Sequence, residues 1–194
     1  RRHLANLSIL NLPTDHPRPS VQSYAGKRHP LVIGNELIQP LTHLAEQQGA
    51  TLFMVLLSAY QILLGRYSGQ DDIAVGSPIA GRNRVEVERL IGLFVNTLVF
   101  RTQLNNEHSF NEILSQVQQL SIQAFANQDV PFEQLVEILQ PRRELSHTPL
   151  FQVYFSLQTM PIPKSHRSNL KWESMDVDPG TAKFDLSLEI RQEN

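Results

Sequence analysis

Histidines are the first side chains to consider for acid–base or metal chemistry. The seven in this chain stand at positions 3, 16, 29, 43, 108, 147 and 166, with no adjacent pair and no pair one helical turn apart. A zinc site of the H-E-x-x-H type needs two histidines four residues apart on one helix. The spacing gives no support for such a site, and no metal is predicted.

Serine, glycine and carboxylate patterns favour structure rather than catalysis. Gly76-Ser77-Pro78 is the one stretch that resembles a nucleophile turn, but the G-x-S-x-G pattern is missing. The glycines are scattered and form no phosphate-binding loop. Asp71-Asp72 and the Asp176 to Asp178 stretch stand beside turn residues, where carboxylates accept hydrogen bonds from backbone N–H groups. No catalytic residue is predicted in this chain.

A group of arginines follows that serine, interleaved with two glutamates. Its members are Arg82, Arg84, Arg89, Glu86 and Glu88. The alternation of sign predicts a solvated face with weak ion pairs. Over the whole chain, 17 basic residues stand against 19 acidic ones, for a net charge of −2. Without a long basic run, we expect no nucleic acid and no anionic membrane as partner.

Length and composition indicate a globular protein. The chain has 194 residues, of which 41% are hydrophobic, and this suits one or two domains with a packed core. Its most apolar stretch, Leu52 to Leu64, is shorter than the ~20 residues of a spanning helix. The chain contains no cysteine, which favours a reducing cytoplasm. It begins without an initiator Met, so we expect a piece of a longer protein.

The first third of the chain divides into a connector and two helices. Proline density up to Pro30 predicts an extended connector over residues 1–28, followed by a short strand from His29 to Ile33. Apolar spacing predicts a helix from Asn35 to Gln48. Thr51 is the expected N-cap of a second helix, which runs to about Tyr67 and is apolar enough to be buried on all sides.

Strands and helices alternate irregularly after that. The run Ile73 to Gly76 predicts a buried strand ended by Pro78, Val85 to Leu93 a weakly helical or irregular stretch, and Phe94 to Leu104 a second strand. Ser109 and Glu112 form a capping box at the start of a helix.

The last third adds one helix and three strands. Pro131 fits the first position of a helix that ends before Pro141. The predicted strands are Phe151 to Leu157, Leu170 to Val177 and Ala182 to Ile190, the last two pairing across a turn at residues 178–180. The predicted fold class is α+β, or loosely mixed α/β.

Three segments resemble the later motifs of the nonribosomal peptide synthetase condensation family. Ile91 to Thr97, continuing to Arg101, matches IGxFVNT…R, and Asn127 to Glu133 matches (H/N)QD(Y/V)PFE. Arg142 to Leu150 is similar to RDxSRNPL, although Arg143 replaces the usual Asp and His147-Thr148 replace Arg-Asn. Shorter similar stretches include residues 12–19, 49–53, 65–73, 76–82 and 183–186, so the resemblance covers essentially the whole chain.

The resemblance implies a fold and a place within a larger enzyme. Family domains consist of two chloramphenicol-acetyltransferase-like lobes, each with a mixed sheet flanked by helices. Residues 29–194 then form the C-terminal lobe, truncated at its end. In the family, a carrier-bound amine attacks a carrier-bound thioester in a tunnel between the lobes, and the HHxxxDG motif lies in the other lobe. This chain has no His-His pair, so the resemblance implies a lobe that is inactive alone.

The resemblance also implies partners. These are the missing N-terminal lobe, peptidyl carrier proteins bearing 4′-phosphopantetheine, and an adenylation domain, with no cofactor bound by the chain itself. A lobe without its partner exposes apolar surface, and self-association is therefore a risk. Two alternatives stay open: the related epimerisation domain, and a catalytically dead condensation-like platform that recruits or docks other proteins.

The matching positions supply the candidate site residues. Those expected to line the tunnel are Asn96, Thr97, Ser77, Arg82, Gln128 and Asp129. Those expected to serve the motifs structurally are Gly92, Phe94, Val95, Arg101, Pro131, Phe132, Glu133, Arg142 and Pro149. Asn96 and Thr97 could equally satisfy backbone groups at a strand bend, and Asp129 could begin a helix. Phe94, Val95 and Phe132 are expected in the core, and Arg101 is expected to tether a neighbouring segment.

Overall fold

The computed structural model describes residues 2–141, 144–159, 175 and 177–192. In this part of the chain, four strands form one mixed sheet in the order β2-β1-β3-β4. The strands are β1 (Asp72–Ile79), β2 (Asn96–Gln103), β3 (Val153–Gln158) and β4 (Leu186–Arg191). β1 pairs antiparallel with β2 and parallel with β3, which in turn pairs parallel with β4.

Helices flank this sheet, as the predicted fold class requires. They are α1 (Asn35–Gln47), α2 (Leu52–Ser68), α3 (Val85–Glu88), α4 (Phe110–Ala126) and α5 (Phe132–Leu139). Two predicted caps are confirmed. The Thr51 side chain accepts a hydrogen bond from the backbone N–H of Met54, and Ser109 and Glu112 form the reciprocal capping box of α4.

Both faces of the sheet are covered. Side chains alternate in direction along a strand, so β1 contributes to a hydrophobic cluster on each face. Ile73 and Val75 of β1 join the larger core, to which α1, α2 and α4 contribute. Ala74, between them, joins a smaller cluster with Phe151, which also includes residues of α5 and of the N-terminal segment. The sheet is thus sandwiched between a helical layer and a thinner layer made of α5 and extended chain.

A buried glutamine ties the helical layer to the sheet. Gln61 of α2 is fully buried, and its Nε2 donates to the carbonyl oxygen of Phe100 at 3.0 Å. Its Oε1 accepts a hydrogen bond from the Thr102 hydroxyl at 2.9 Å. Both ends of the amide are satisfied, which is the condition for burying such a group at little cost.

The predicted connector is extended, and it lies against the rest of the chain. After a 3₁₀ turn at Arg2–Leu4, Leu10 is buried in the larger core. The Arg18 guanidinium forms an ion pair with the Asp185 carboxylate, which is itself only 17% exposed. Further along, the N–H of Gly26 donates to the carbonyl oxygen of Gly180 at 3.0 Å.

Two strand predictions were wrong. Residues 29–33 form no strand, and Leu31 and Val32 are exposed at 74% and 92%, because no neighbouring strand pairs with them. Pro78 does not end β1, which continues to Ile79 with Pro78 opposite Thr97. β3 pairs with β1 only at Val75 and Gly76, so no ladder bond on that side needs the N–H that proline lacks.

Helix α2 is not buried on all sides, contrary to expectation. Leu63 and Tyr67 are 50% and 67% exposed, so one face of the helix is open. Within the described residues, no single helix is long and apolar enough to cross a bilayer, and α1 with α2 passes that test only as a pair bent by 106°.

Several predicted boundaries shift in the last third of the chain. Pro131 is the N-cap of α5, one position before the first helical residue, Phe132. The predicted strand at residues 170–177 lies almost wholly outside the described residues, and so does any hairpin it would form. The last described strand, β4, instead pairs in parallel with β3.

Candidate functional site

Asn96 joins the two best-matched motifs. From the first residue of β2, its Nδ2 donates to the carbonyl oxygens of Gln128 and Val130 at 2.9 and 2.8 Å. Its Oδ1 accepts hydrogen bonds from the N–H groups of Thr97 and Phe132 at 2.9 and 3.1 Å. One side chain therefore fixes the start of β2 against the segment that leads into α5.

A second amide reinforces this junction. Asn83 Nδ2 donates to the Asp129 carboxylate at 2.9 Å. Asp129 was expected to begin a helix, but α5 has no side-chain cap and starts three residues later, at Phe132. The carboxylate instead accepts from Asn83 across the surface. Asn83 was missed by motif matching, although it directly follows the matched Gly81-Arg82 pair.

Ser77 and Thr97 lie close in the ladder but on different faces. Ser77 pairs with Leu98, and Thr97 pairs with Pro78. Because side chains alternate, Ser77 faces the helical layer with Val75, and Thr97 faces the thinner layer. Ser77 is 2% exposed. Within the described part of the chain, neither hydroxyl has a hydrogen-bond partner. Because they lie on opposite faces of the sheet, the two hydroxyls are not brought to one point.

Arg82 does not belong to the solvated face that the charge pattern predicted. It is half-buried, and its guanidinium lies 4.4 Å from the centroid of the Phe94 ring. The same group donates to Leu90 and Gly92 carbonyl oxygens at 2.9 and 3.2 Å, to Glu88 at 3.4 Å, and to Val87. Contacts with backbone oxygens and an aromatic ring stabilise this guanidinium more than weak, exposed ion pairs with Glu86 or Glu88 would.

The IGLFV stretch before β2 carries most of the exposed apolar surface near the junction. Phe94 is half-buried beneath Arg82, and Gly92 lies beside its ring. Val95 was expected in the core, but it is 58% exposed, because it precedes β2 and the core positions begin at Leu98. Ile91 and Leu93 are exposed at 106% and 90%.

The remaining motif residues build α5 and the segment after it. Phe132 packs edge-on against Phe151 with centroids 5.6 Å apart, in the smaller cluster as expected. Glu133 stands in the first turn of α5, where a negative charge complements the helix dipole. The Pro149 carbonyl accepts from the N–H of Phe151 at 2.9 Å. Arg142 lies outside the described residues.

Arg101 anchors the N-terminal segment to the far end of β2. Its Nε and Nη2 each lie 2.7 Å from a different carboxylate oxygen of Asp72. Nη1 donates to the carbonyl oxygens of His3 and Ala5 at 2.8 and 2.9 Å. Hydrogen bonding to Asp72 raises the pKa of Arg101. Asp72 was expected to cap a turn, and it serves this pair instead.

The junction uses its polar groups mainly to hold parts of the chain together. Most of its polar groups, those of Asn96, Asp129 and Arg82, are engaged with other parts of the protein. Among the described residues, no group of three or more His, Asp or Glu side chains is arranged to hold a metal ion. Of the two hydroxyls, only that of Thr97 lies on a half-buried side chain, because Ser77 is buried against the helical layer.

Solved structures similar to this chain include an X-domain and a nonribosomal peptide synthetase, and these indicate its structural class. The X-domain from teicoplanin biosynthesis, solved in complex with OxyB, matches all of this chain with a TM-score of 0.82 and 26% identity, and the match spans 42% of that structure. The four-domain nonribosomal peptide synthetase AB3403, solved with AMP and glycine, matches 79% of the chain with a TM-score of 0.74 and 27% identity, across 12% of its length.

Sequence comparison identifies the family. The condensation domain model matches residues 2–194, and the chain belongs to the condensation domain family. Tyrocidine synthase 3 of Brevibacillus parabrevis is 46% identical over 192 residues, covering 99% of this chain and 3% of that protein. Gramicidin S synthase 2 of Brevibacillus brevis is 45% identical over 192 residues, covering 96% of this chain and 4% of that protein. The chain thus spans a small fraction of its curated relatives, and the resemblance found in the motifs is confirmed.

Proposed function

We propose that this chain is the C-terminal lobe of a condensation domain that joins two carrier-tethered substrates through an amide bond. The observation that carries the proposal is the junction at Asn96, which brings two family motifs together within a chain that the family model matches from end to end. The substrates would be aminoacyl or peptidyl thioesters on 4′-phosphopantetheine arms, supplied by carrier proteins and an adenylation domain in the cytoplasm.

The roles of the six tunnel candidates divide by their contacts. Thr97 has a half-buried hydroxyl without a described partner, and we assign it to hydrogen bonding with the substrate. Ser77 is 2% exposed and faces the helical layer, so we assign it to the packing of β1 rather than to substrate contact. Asn96, Asp129 and Arg82 bond to other parts of the protein, and Gln128 lends its carbonyl to Asn96. We assign these four to the shape of the tunnel wall rather than to contact with reacting atoms.

The exposed apolar residues of the loop before β2 suit an interface with the N-terminal lobe of such a domain. Val85, Leu90, Ile91 and Leu93 are 53% to 106% exposed. The X-domain structure that matches the whole chain is more than twice as long, so the remainder of such a domain is available to cover them. Without that lobe, we expect the chain to self-associate, which sedimentation velocity at several concentrations measures.

Amide formation by the complete domain tests the proposal. Carrier proteins loaded with aminoacyl thioesters are mixed with the domain, and the dipeptidyl product on the phosphopantetheine arm is followed by mass spectrometry. The complete domain should form product, and this chain alone should form none, because it lacks an HHxxxDG motif. Turnover by the chain alone, or none by the complete domain, contradicts the proposal.

A docking platform is the second candidate function. The X-domain that covers the whole chain was solved as a complex with the protein OxyB, and this favours a condensation-like lobe that recruits a partner. The residues that precede this lobe in the complete protein discriminate between the two functions. An intact HHxxxDG motif there supports amide formation, and a degraded one supports recruitment. The epimerisation alternative has no comparable observation in its favour.

A further inference from the structure

The loop formed by residues 83–93 has an unusual distribution of side chains. Four of its five large apolar residues, Val85, Leu90, Ile91 and Leu93, are 53% to 106% exposed. They therefore cannot form a core that holds the loop in shape. Regular structure within the loop is limited to the single turn of α3 at Val85–Glu88.

The two ends of this loop meet. Gly81 has a φ of +64°, and a Cβ atom placed on it would lie 1.8 Å from the carbonyl oxygen of Phe94. The backbone at residue 81 thus touches the backbone at residue 94, so the loop leaves and returns at one point. Only glycine combines that approach with a positive φ at low cost.

Arg82 is the side chain that spans the inside of this closed loop. It follows the contact point directly, and its guanidinium reaches carbonyl oxygens spread from Val87 to Gly92 while it stacks on Phe94. A guanidinium has five N–H donors in a fixed plane, whereas a lysine ammonium is a point charge with three. Arg82 uses both features of the guanidinium, because its N–H groups bind several carbonyl oxygens and its flat face stacks on the Phe94 ring.

We infer that Arg82 is a positioning residue, which gives the 83–93 loop its shape and so presents Leu90, Ile91 and Leu93 as a preformed contact surface. The inference rests on the proposed function in one respect, namely that the rest of the condensation domain covers this surface. Arg82 itself then touches no substrate. Its effect on the reaction passes through the loop.

Amide hydrogen exchange in the full 194-residue chain tests the structural half of the inference. The N–H groups of Val87 and Leu90 donate within the loop, to the carbonyl oxygens of Arg84 and Val87. In Arg82→Ala and Arg82→Lys, these two amides should exchange about tenfold faster, while those of α4 keep their rates. Arg66→Ala, which removes an exposed arginine from α2, is the matched control and should change neither.

Chemical rescue shows whether faster exchange in Arg82→Ala comes from the missing guanidinium or from general destabilisation of the chain. Methylguanidinium, added at concentrations that leave the urea midpoint of the wild-type chain unchanged, should slow the loop amides of Arg82→Ala again. Unchanged loop exchange in Arg82→Ala, or full protection in Arg82→Lys, overturns the inference.

Turnover of the complete domain tests the functional half. Arg82→Ala and Arg82→Lys should lower the rate of amide formation several-fold, and Arg66→Ala should not. Wild-type rates in Arg82→Ala, together with fast loop exchange, overturn the positioning role. If the wild-type domain forms no amide, the proposed function fails, and loop exchange in the complete domain then decides the inference. Loop amides that remain as fast as in the isolated chain would overturn it.

Discussion

The side-chain oxygen of Asn96 accepts a hydrogen bond from the backbone N–H of Phe132, 36 residues further along the chain, at 3.1 Å. That N–H is the first of α5 and has no partner inside the helix. Asn96, the first residue of β2, therefore provides a hydrogen-bond acceptor for the first N–H group of α5. Its amide nitrogen completes the junction through two carbonyl oxygens of the intervening segment.

Replacing Asn96 should destabilise the chain. Asn96→Asp keeps the shape and the acceptor but replaces the donating nitrogen with an oxygen that faces the carbonyls of Gln128 and Val130. The expected loss is about 2–3 kcal/mol in the free energy of unfolding, measured by urea denaturation. Asn111→Asp, on the exposed first turn of α4, should change stability by less than about 0.5 kcal/mol. An unchanged urea midpoint in Asn96→Asp would leave a tunnel role as the remaining explanation for this residue.

Two glycines with similar backbone conformations should respond differently to alanine. Gly69 ends α2 with a φ of +68° and has open space where a Cβ would be, whereas Gly81 at +64° has the Phe94 carbonyl in that place. Gly69→Ala should cost about 1–2 kcal/mol, the strain of a left-handed alanine. Gly81→Ala should cost clearly more and should also raise amide exchange in the 83–93 loop. Equal unfolding free energies for the two variants would show that the close approach contributes nothing.

The Arg101–Asp72 pair allows a double-mutant cycle. We expect Asp72→Asn to cost about 2 kcal/mol, since it breaks a half-buried, charge-assisted pair. Arg101→Gln should cost about 1 kcal/mol more, because Arg101 also binds the carbonyl oxygens of His3 and Ala5. Urea unfolding of both single variants and the double variant gives the coupling energy. Equal costs for the two single variants would mean that the contacts with the N-terminal segment add no stability.

The capping box of α4 should make stability depend on pH in the acid range. Hydrogen bonds from the backbone N–H and the hydroxyl of Ser109 lower the pKa of Glu112 below its ordinary 4.5. A lowered pKa means that the ionised carboxylate stabilises the folded state above about pH 4.5, and that this contribution disappears as the pH falls through the folded-state pKa.

The comparison variants are Glu112→Gln and Ser109→Ala. The difference in urea midpoint between wild type and Glu112→Gln should be constant above about pH 6 and should shrink towards pH 3. Ser109→Ala keeps the backbone N–H, so part of the wild-type pH dependence should remain. Parallel curves for wild type and Glu112→Gln across this range would contradict the lowered pKa.

Local patterns in the sequence predicted the helices well. Thr51, Ser109 and Glu112 act through bonds to groups within four residues, so their roles can be read from spacing alone. The two motif segments were sufficient to identify the family, because each combines several uncommon residues in a fixed order. Predictions that needed a partner strand, such as residues 29–33, were wrong because pairing is not a local property.

The contacts of Arg82 could not be predicted in the same way. Its neighbours Arg84, Glu86, Glu88 and Arg89 suggest a solvated ion-pair face, and nothing in that pattern indicates that the chain turns back on itself. The loop closes because the Gly81 backbone touches Phe94, and only then do carbonyl oxygens surround the guanidinium. The exposure of Val95 follows from the same loop, since β2 begins only at the next residue.

The sequence by itself determined the family, the helices and the absence of a His-His pair, because these depend on residue identity and short-range spacing. The tertiary structure decided which groups Asn96 binds and which faces of the sheet Ser77 and Thr97 occupy. It also decided that the Arg82 guanidinium binds carbonyl oxygens of the protein's own backbone. Each of those depends on groups many residues apart, whose meeting is set by how sheet and helices pack together. The residue type determines which bonds a side chain can form, but only the folded chain determines which groups it meets.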